Sequence, residues 1–518
     1  MSLYLCYDVK GIQSFIFKIP KLKYIIGGSA LIDKFDRETI RGLSIMGTKR
    51  IYSGGGKGAF ICDDKTAAEK LKEAIIIEAH EIGLDIRFGQ NQNFSEAINK
   101  ADEIYPFIPP DSLDGEPCNI SGLYPVKKGE TEHPVVHKRI VEENNRWFEK
   151  QFVNKEIKDL VVIPGSNAEI LFFRNVDPND IDPSGKEGHA AIGKSNRWAV
   201  ICMDGNDMGL QFKKRLETSD VDLMNWIIEM SSSLDYCSHE AARCGMQQVI
   251  NERYKEEKNR LPSDRITLPV RPIVVGGDDI TILCHAGYAM TFVKEAIRVF
   301  NETSILKQKE LEKKGINLWP ATNGQITISA GILYCPVSLP LHTAIAYTES
   351  LLASAKSRGR RNFKEGSPSP ACIDWEQVTE SVIDTPTARR KRELSFFDKE
   401  INEKVDLTQR PYTLDEFKEL EELVKMYRAM IEEKKLPTTI RNQIRVGMRA
   451  GFSDRLAFIA GIKNNHKELF ENLCEYKGFE DLLKKSRWKT DGKKRSTDVL
   501  DALLLLEEEN RMERIKHA

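Results

Sequence analysis

The feature that most constrains this chain is an internal repeat of two α+β units. Each unit opens with a short apolar strand that ends in an aspartate, Asp8 in the first unit and Asp204 in the second, followed by a glycine-containing turn. Each unit later has a hairpin in which paired glycines separate two apolar strands. The repeat therefore predicts two related α+β domains in one chain.

The two hairpins differ in charge. Residues 52–61 contain Gly54, Gly55 and Gly56 but no acid, whereas residues 273–282 read Ile-Val-Val-Gly-Gly-Asp-Asp-Ile-Thr-Ile and end their turn in Asp278 and Asp279. Two copies of which one lacks carboxylates indicate a paired arrangement. One half is expected to do chemistry, and the other to supply packing or a second nucleotide site.

The length and the local composition predict four domains. A chain of 518 residues suits about three or four domains of roughly 100 to 200 residues each. The segment after the first unit is rich in Pro, Gly, Asp and Lys, and beyond about residue 375 apolar residues recur every three to four positions, which is typical of helices. The predicted domains are 1–108 (first α+β unit), 109–195 (connecting domain), 196–375 (second α+β unit) and 376–518 (helical bundle).

Composition excludes several classes of protein. The 77 basic and 78 acidic residues nearly cancel, so no net field attracts nucleic acid or a membrane. The ten cysteines are scattered without a CxxC pair, which is typical of a reduced chain, and no apolar run of about 18 residues occurs that could span a membrane. We therefore expect a cytoplasmic protein. The chain has no His-Asp dipeptide of the kind found in metal-dependent phosphohydrolases, which argues against that nucleotide chemistry.

Carboxylates in the second unit predict a metal site. Asp204 ends a strand, and the backbone amides of the turn that follows it can face phosphate oxygens. The Gly276-Gly277 pair permits a tight turn and close approach of a substrate, while Asp278 and Asp279 add the hard oxygen ligands that Mg²⁺ prefers. Metal ions held by such carboxylates activate a hydroxyl and neutralise a departing pyrophosphate. An isolated Gly-Gly-Asp-Asp segment is more often an ordinary hairpin tip, so its context decides.

The context is a strand over residues 326–332, which contains Thr327, Ser329 and Gly331, and a helix that ends in Ala355-Lys356 and a Gly-Arg-Arg-Asn segment. With these elements the second unit resembles the palm domain of GGDEF-type diguanylate cyclases. Ile280, where that family has Phe, makes it more similar to the polymerase/cyclase subunit of type III CRISPR effector complexes. That family has two palms, and its first-palm segments correspond here to residues 11–16 (GIQSFI) and 27–31 (GGSAL).

The resemblance extends from residue 3 to about 370 and implies an α+β fold with two ferredoxin-like palm domains, the first degenerate, a connecting domain and a C-terminal helical bundle. It implies that Asp204, Asp278 and Asp279 are catalytic and hold Mg²⁺ or Mn²⁺. Lys356 would contact the triphosphate and Ser329 the base or ribose, although a solvated lysine at a helix end is the commoner role. The nucleotide-binding residues implied are Gly205, Asn206, Asp207, Gly209, Gly276, Gly277, Ser329, Lys356, Gly27, Gly28 and Ser29.

The function implied is the joining of ATP, with GTP left open, into a cyclic or linear oligoadenylate messenger in CRISPR-linked antiviral defence. The expected partners are CRISPR effector subunits and guide or target RNA. One alternative is a standalone, homo-oligomeric enzyme that makes a cyclic dinucleotide without guide RNA. Another is a non-catalytic nucleotide-binding subunit of a ribonucleoprotein, against which the intact carboxylates argue.

Other motifs carry less information. The family's HD nuclease domain and its zinc-binding cysteine pairs have no counterpart, because Asp8 already belongs to the first palm and only Cys118 remains between the palms, so neither DNA cleavage by that domain nor structural zinc is expected. His133 and His137 are interpreted as surface residues. The basic runs 389–392 and 484–495 suit RNA or a solvated loop equally well and are assigned no site.

Overall fold

We describe the protein from a computed structural model. It describes residues 3–19, 21–103, 116–120, 125–126, 132–153, 161, 169–173, 197–215, 220–257, 265–361, 364, 366–379, 384–400, 402–433, 437–449, 460–461, 464, 488–491, 494–497 and 500–506. The sequence also predicts a strand at 160–163 and helices at 453–462 and 466–475. Nearly all of these residues, and half of the basic run 484–495, lie outside the described residues.

The first unit is a four-stranded antiparallel sheet in the order β2-β3-β1-β4 with helices packed against it. Its strands begin and end where apolar runs meet turn residues, and Asp64 caps the helix that follows β3 by accepting a 2.8 Å hydrogen bond from the Ala67 amide. The elements are β1 (Leu3–Lys10), α1 (Ile12–Phe17), α2 (Leu22–Lys34), a π-helical turn (Phe35–Thr39), α3 (Ile40–Gly42), β2 (Thr48–Gly54), β3 (Lys57–Cys62), α4 (Lys65–Ile82), β4 (Asp85–Asn91) and α5 (Phe94–Asp102).

The connecting region is described only in part. Its helices pack on the first unit, because α2 and α6 share a close interface, and its strand β7 pairs in parallel with β9 of the second unit. The elements are β5 (Glu116–Pro117), β6 (Pro125–Val126), α6 (Pro134–Asn144), α7 (Trp147–Phe152) and β7 (Glu169–Phe172). His133 caps α6, since its Nδ1 accepts a 3.2 Å hydrogen bond from the Val135 amide.

The second unit repeats the first. Its four strands lie in the order β10-β11-β8-β12, which matches β2-β3-β1-β4 position by position, and both correspond to the ferredoxin-like order. Strands β13 and β16 extend this sheet beyond β12. The elements are β8 (Arg197–Gly205), α8 (Met208–Arg215), α9 (Asp220–Glu257), β9 (Arg265–Leu268), β10 (Val270–Gly276), β11 (Asp279–His285), a 3₁₀ turn (Ala286–Tyr288), α10 (Ala289–Glu312), β12 (Ile328–Pro336), α11 (Leu341–Arg361) and β13 (Cys372–Gln377).

The C-terminal part contains helices, as expected, and also strands, which were not expected beyond residue 375. Short strands form a separate sheet in the order β14-β15-β18-β17. The helix α13 begins with a capping box between Thr413 and Glu416. The elements are α12 (Pro386–Glu393), β14 (Ser395–Asp398), β15 (Glu403–Asp406), β16 (Tyr412–Thr413), α13 (Leu414–Glu432), α14 (Thr438–Met448), β17 (Trp488–Asp491) and β18 (Lys494–Thr497).

The predicted fold class, two ferredoxin-like palms with helical parts, is confirmed. One apolar core runs through both units and into the C-terminal part, and β8 is buried over most of its length. The basic run 389–392 is partly neutralised within the fold, because Arg390 contacts Asp374 at 2.6 Å and Glu376 at 3.1 Å. Among the described residues, no helix is both long and apolar enough to span a bilayer.

Candidate active site

The three acidic residues of interest lie at one end of β8. Strand β8 is central in its sheet, so residues near its end have neighbours on both sides: Asp204 is opposite Asp279 on β11 and opposite Ser329 on β12. The next amide, that of Gly205, donates a 3.2 Å hydrogen bond to the Asp278 carbonyl. The fold therefore brings Asp204 together with Asp278 and Asp279, which follow it by more than seventy residues in the sequence.

Two glycines allow this convergence. A Cβ atom on Gly205 would lie 2.9 Å from the Cβ of Asp278, a distance that side chains do not tolerate, so the strand end can approach the turn only as glycine. Gly277 has a φ of +59°, in the left-handed region that favours glycine. Gly276 pairs with Asp279 across the hairpin. The Gly-Gly pair thus shapes a tight turn beside Asp204.

The charges in this cluster repel one another. Burial, and then the negative charges of Asp204 and Asp279, raise the pKa of Asp278 well above its ordinary value. Asp279 keeps an exposed side, but loss of contact with bulk water and the charge of Asp204 raise its pKa to about 7, against the lowering effect of Lys356. The concentration of negative charge favours a cation at this point.

Lys356 supplies one positive charge. It projects from α11 to the end of β8, where its Nζ donates to Asp204 Oδ2 at 2.5 Å and to the Gly205 carbonyl at 2.9 Å. On the same helix, seven residues earlier and therefore on the same face, Glu349 adds its negative charge to the surroundings of Asp279. Sequence reasoning missed Glu349, although its two-turn spacing from Lys356 was a signal that could have found it.

The residues agree in type with a hard divalent cation. The charge of Asp204 raises the pKa of Asp278, and carboxylate oxygens gathered in this way are the ligands that Mg²⁺ and Mn²⁺ take. Over the part of the chain that the structure describes, however, no three His, Cys, Asp or Glu side chains are arranged as a ready ligand set. The type of ligand atom, carboxylate oxygen, thus fits a metal ion. In this structure the cation that Asp204 contacts is the ammonium group of Lys356.

The turn after β8 is held internally. Asn206 is buried, and its Nδ2 donates to Thr327 Oγ1 at 2.7 Å and to Ser329 Oγ at 3.0 Å. Ser329 is fully buried, and its hydroxyl also accepts a 3.1 Å hydrogen bond from the Cys372 amide. Ser329 therefore orients Asn206, and its contact with a base or ribose, which the resemblance implied, stays a prediction. Its strand position alone could not show which partner would take its hydroxyl.

Asp207 also has a local role. Its φ is +64°, and its carboxylate accepts hydrogen bonds of 2.7 Å from both the amide and the hydroxyl of Ser369. The pair ties the turn after β8 to the segment that leads into β13. Gly209 lies nearby in the first turn of α8, with open space where a side chain would be.

Gly27, Gly28 and Ser29 do not form a phosphate loop. They lie inside α2, and all three are buried. A Cβ on Gly27 would overlap the Arg139 carbonyl at 1.8 Å, and one on Gly28 would lie 2.9 Å from Arg139 Nη1. The glycines therefore let α6 pack closely on α2, and the implied nucleotide contact has no support from this position, because a helix interior presents no free amides.

The first unit has a counterpart of the acidic cluster in which a lysine lies where the second unit has an acid. Asp8 on β1 is opposite Lys57 on β3, just as Asp204 is opposite Asp279, and Lys57 pairs with Gly54 as Asp279 pairs with Gly276. The Asp8 carboxylate contacts Lys10 Nζ at 2.6 Å and Lys57 Nζ at 3.2 Å. At this position the second unit places Asp204 opposite another acid, whereas the first unit pairs Asp8 with lysine side chains.

A comparison with protein families identifies the second unit. Residues 197–363 match the family described as Cas10/Cmr2, second palm domain. This match lies within the predicted second unit and confirms its resemblance to the polymerase/cyclase subunits. No curated protein sequence matches the chain.

A comparison with solved structures found matches to Csm1-Csm4 assemblies. A crystal structure of the Csm1-Csm4 cassette in complex with cA3 has a TM-score of 0.41 at 15% identity and covers 81% of this chain and 57% of that chain. The cassette in complex with cA4 and the cassette in complex with one ATP each have a TM-score of 0.38 at 16% identity and cover 69% of this chain and 53% of that chain. The chain spans little more than half the length of these structures.

Proposed function

We propose, from the premise that residues 197–363 are a second palm domain of the Cas10/Cmr2 family, that this chain is a metal-dependent nucleotidyltransferase that joins ATP into a cyclic or linear oligoadenylate. The observation that carries the proposal is the convergence of Asp204, Asp278 and Asp279 at the end of β8. The choice of ATP follows the resemblance to CRISPR subunits that make cyclic oligoadenylates. The same family suggests effector subunits and RNA as partners.

In the proposed reaction the 3′ hydroxyl oxygen of one nucleotide forms a bond to the α-phosphorus of a second. The bond between that phosphorus and the oxygen leading to the β-phosphate breaks, pyrophosphate leaves and the hydroxyl proton passes to solvent. Mg²⁺ or Mn²⁺ held by Asp204, Asp278 and Asp279 would supply charge neutralisation at the phosphates.

The chain's own residues supply position and charge. The Gly276-Gly277 turn carries no side chain and so lets a substrate approach the backbone, and Lys356 offers an ammonium at the edge of the acidic cluster. Asn206, fixed by Thr327 and Ser329, keeps the strand end in place.

A test begins with the purified protein, Mg²⁺ or Mn²⁺ and each nucleoside triphosphate in turn, with products identified by mass spectrometry. An oligoadenylate from ATP supports the proposal and settles the base. The combined change Asp278→Ala and Asp279→Ala should abolish product, and chelation of the metal should do the same reversibly. The matched control Asp415→Ala removes an exposed carboxylate from the start of α13 and should leave the rate unchanged. Product formation by the double variant would contradict the site assignment.

One observation favours a second candidate, a nucleotide-binding subunit without turnover. In both units a lysine already contacts the strand-end aspartate, Lys356 on Asp204 and Lys10 on Asp8. Absence of product with every triphosphate, with or without added RNA, together with binding of ATP by calorimetry, would favour this candidate. Co-purification with smaller subunits and RNA would distinguish an effector subunit from a standalone enzyme.

A further inference from the structure

The π-helical turn Phe35–Thr39 connects the hairpins of the two units. It follows α2 directly, and two consecutive residues in it, Asp36 and Arg37, contact different parts of the molecule. A π-helical segment adds a residue to a helical turn, and such segments recur at functional sites. Asp36 contacts the glycine-rich turn of the first unit directly, and Arg37 contacts the helix that bonds to the glycine-rich turn of the second.

Asp36 holds the hairpin of the first unit. It is buried, and its Oδ2 accepts a 2.6 Å hydrogen bond from the Gly56 amide while its Oδ1 accepts one of 3.0 Å from the Tyr7 hydroxyl. Its backbone carbonyl accepts a further 3.0 Å hydrogen bond from the Ser53 hydroxyl. The hairpin tip is therefore fixed directly to the π-helical turn.

Arg37 holds the long helix α9 of the second unit. Its Nη2 donates to both carboxylate oxygens of Asp235, at 2.8 and 3.0 Å, and its Nε donates to Asp33 at 2.7 Å. Asp33 is itself fixed by Trp147 Nε1 at 2.7 Å and Gln151 Nε2 at 2.6 Å from α7. The guanidinium is three-quarters buried, so these charge-assisted hydrogen bonds are poorly screened by water.

One face of α9 contacts both hairpins. Ser231, Asp235 and Ser238 follow the i, i+4, i+7 spacing of a single helix face, and the first and last are about 10 Å apart along the axis. A Cβ atom placed on Gly54 in the first hairpin would lie 3.6 Å from Ser231 Oγ, so this serine is close to that hairpin. A Cβ atom placed on Gly276 in the second hairpin would lie 4.0 Å from Asp235 Oδ1.

Ser238 makes the direct bond to the second turn. Its hydroxyl donates a 2.6 Å hydrogen bond to the Gly277 carbonyl, and its side chain is fully buried. Beside it, His239 Nε2 lies 2.9 Å from the Arg37 guanidinium, and its ring stacks on Phe152 at 5.2 Å. The path from Arg37 to the turn thus consists of Asp235 and, one helical turn on, Ser238.

We propose that Arg37 is a positioning residue for the Gly276–Asp279 turn: through Asp235 it fixes the face of α9 on which that turn rests, so the first unit sets the position of the acids in the second. In its consequence for turnover this inference rests on the proposed function. The mechanical part, coupling between the units, is independent of it.

The first test measures amide hydrogen exchange by mass spectrometry in the full chain. Arg37→Ala should increase exchange of a peptide covering residues 272–281 by roughly tenfold to a hundredfold, since the charge-assisted contact of Arg37 Nη2 with Asp235 is lost. Peptides from the centre of β8 and from β12 should be unchanged. Arg37→Lys keeps the positive charge but not the separate nitrogens with which the guanidinium reaches Asp33 and Asp235, so the exchange rate should increase by an intermediate amount. The matched control Arg298→Ala removes an arginine with two carboxylate partners on an outer face of α10 and should change nothing in these peptides.

A double-mutant cycle with Asp235→Asn identifies the path. If Arg37 acts through Asp235, the combined variant should exchange no faster than Arg37→Ala alone. Equal faster exchange in every peptide would mean that Arg37 only stabilises the fold, and unchanged exchange at 272–281 would mean that the turn does not depend on it. Either result overturns the proposal.

Turnover provides the second readout. Arg37→Ala should lower kcat by roughly tenfold or more while KM for the triphosphate changes little, because the residue positions the acids and does not touch substrate. A wild-type protein that makes no product from any triphosphate would contradict the proposed function, and the exchange experiment would still decide the coupling. A variant with faster exchange at 272–281 but full kcat would show that the coupling does not serve catalysis.

Discussion

Replacing Asp501 with alanine should destabilise the protein strongly, although Asp501 lies far from the acidic cluster. Its side chain and that of Arg410 are both fully buried, and Asp501 Oδ1 lies 2.9 Å from Arg410 Nε. Three further donors depend on the same carboxylate: the Tyr412 hydroxyl at 2.7 Å, the Gln409 amide at 2.9 Å and the Thr408 hydroxyl at 2.8 Å.

The magnitude follows from what is left behind. Burial raises the pKa of Asp501 in spite of Arg410 and these hydrogen bonds, so the carboxylate itself costs free energy to bury. Its removal, however, takes an acceptor from the buried Tyr412 hydroxyl, at about 1–3 kcal/mol, and from the half-buried Gln409 amide and Thr408 hydroxyl, at less. Arg410 keeps Glu376 at 3.2 Å but loses its second carboxylate. The net loss should be about 3–5 kcal/mol, the range for breaking a buried ion pair.

Urea denaturation followed by tryptophan fluorescence measures this loss, because Trp375 stacks on Tyr412 with ring centres 5.4 Å apart and so reports on the cluster. For a slope of about 2 kcal/mol/M, the midpoint should fall by about 1.5–2.5 M. Asp501→Asn, which keeps the shape and one acceptor oxygen, should give a smaller shift. The control Glu422→Ala removes an exposed ion pair with Lys425 and should leave the midpoint unchanged. A midpoint for Asp501→Ala equal to that of the control would refute the reasoning.

Three further predictions concern the two units. Gly205→Ala should displace the Asp278 turn, lowering stability by about 1–3 kcal/mol and reducing product formation, whereas Gly42→Ala, with open space around it, should fold as the wild type does; differential scanning calorimetry compares them. Lys356→Met should slow pyrophosphate release by about tenfold or more, with Lys356→Arg in between, and an unchanged rate would remove Lys356 from the site. Burial raises the pKa of Asp36 to about 7, above its unfolded value of about 3.9. The contribution of Asp36 to stability is therefore present at low pH and is lost as pH rises through about 7. The urea midpoint of the wild type should fall between pH 5 and pH 8, and that of Asp36→Asn should fall less.

The sequence allowed the duplicated architecture to be predicted, because the repeat depends on strong local signals. Apolar strands bounded by Asp8 and Asp204, and glycine pairs between strands, are patterns that tertiary contacts rarely override. The convergence of Asp204 with Asp278 and Asp279 followed from the same logic, since neighbouring strands bring their ends together.

The remaining features depend on contacts between distant segments. The resemblance implied that Gly27 and Gly28 bind nucleotide, and only the structure shows that Arg139 occupies the space a Cβ on either residue would need, so that they serve helix packing. Strands β14 and β15 are each only four residues long, too short for an apolar alternation to mark them. They pair with each other, and β15 also pairs with β18, about ninety residues later. Arg37 and Asp235 are separated by 198 residues and carry no motif.

The lysines of the first unit have a consequence for the cell that makes this protein. The charges that balance Asp8 are covalently part of the chain and arrive with translation, so their number per molecule is fixed whatever the ionic composition of the surroundings. Under the proposed function, the second unit instead depends on free magnesium or manganese. A fall in cellular magnesium would therefore act directly on the acidic cluster of the second unit and leave the charge balance of Asp8 unchanged.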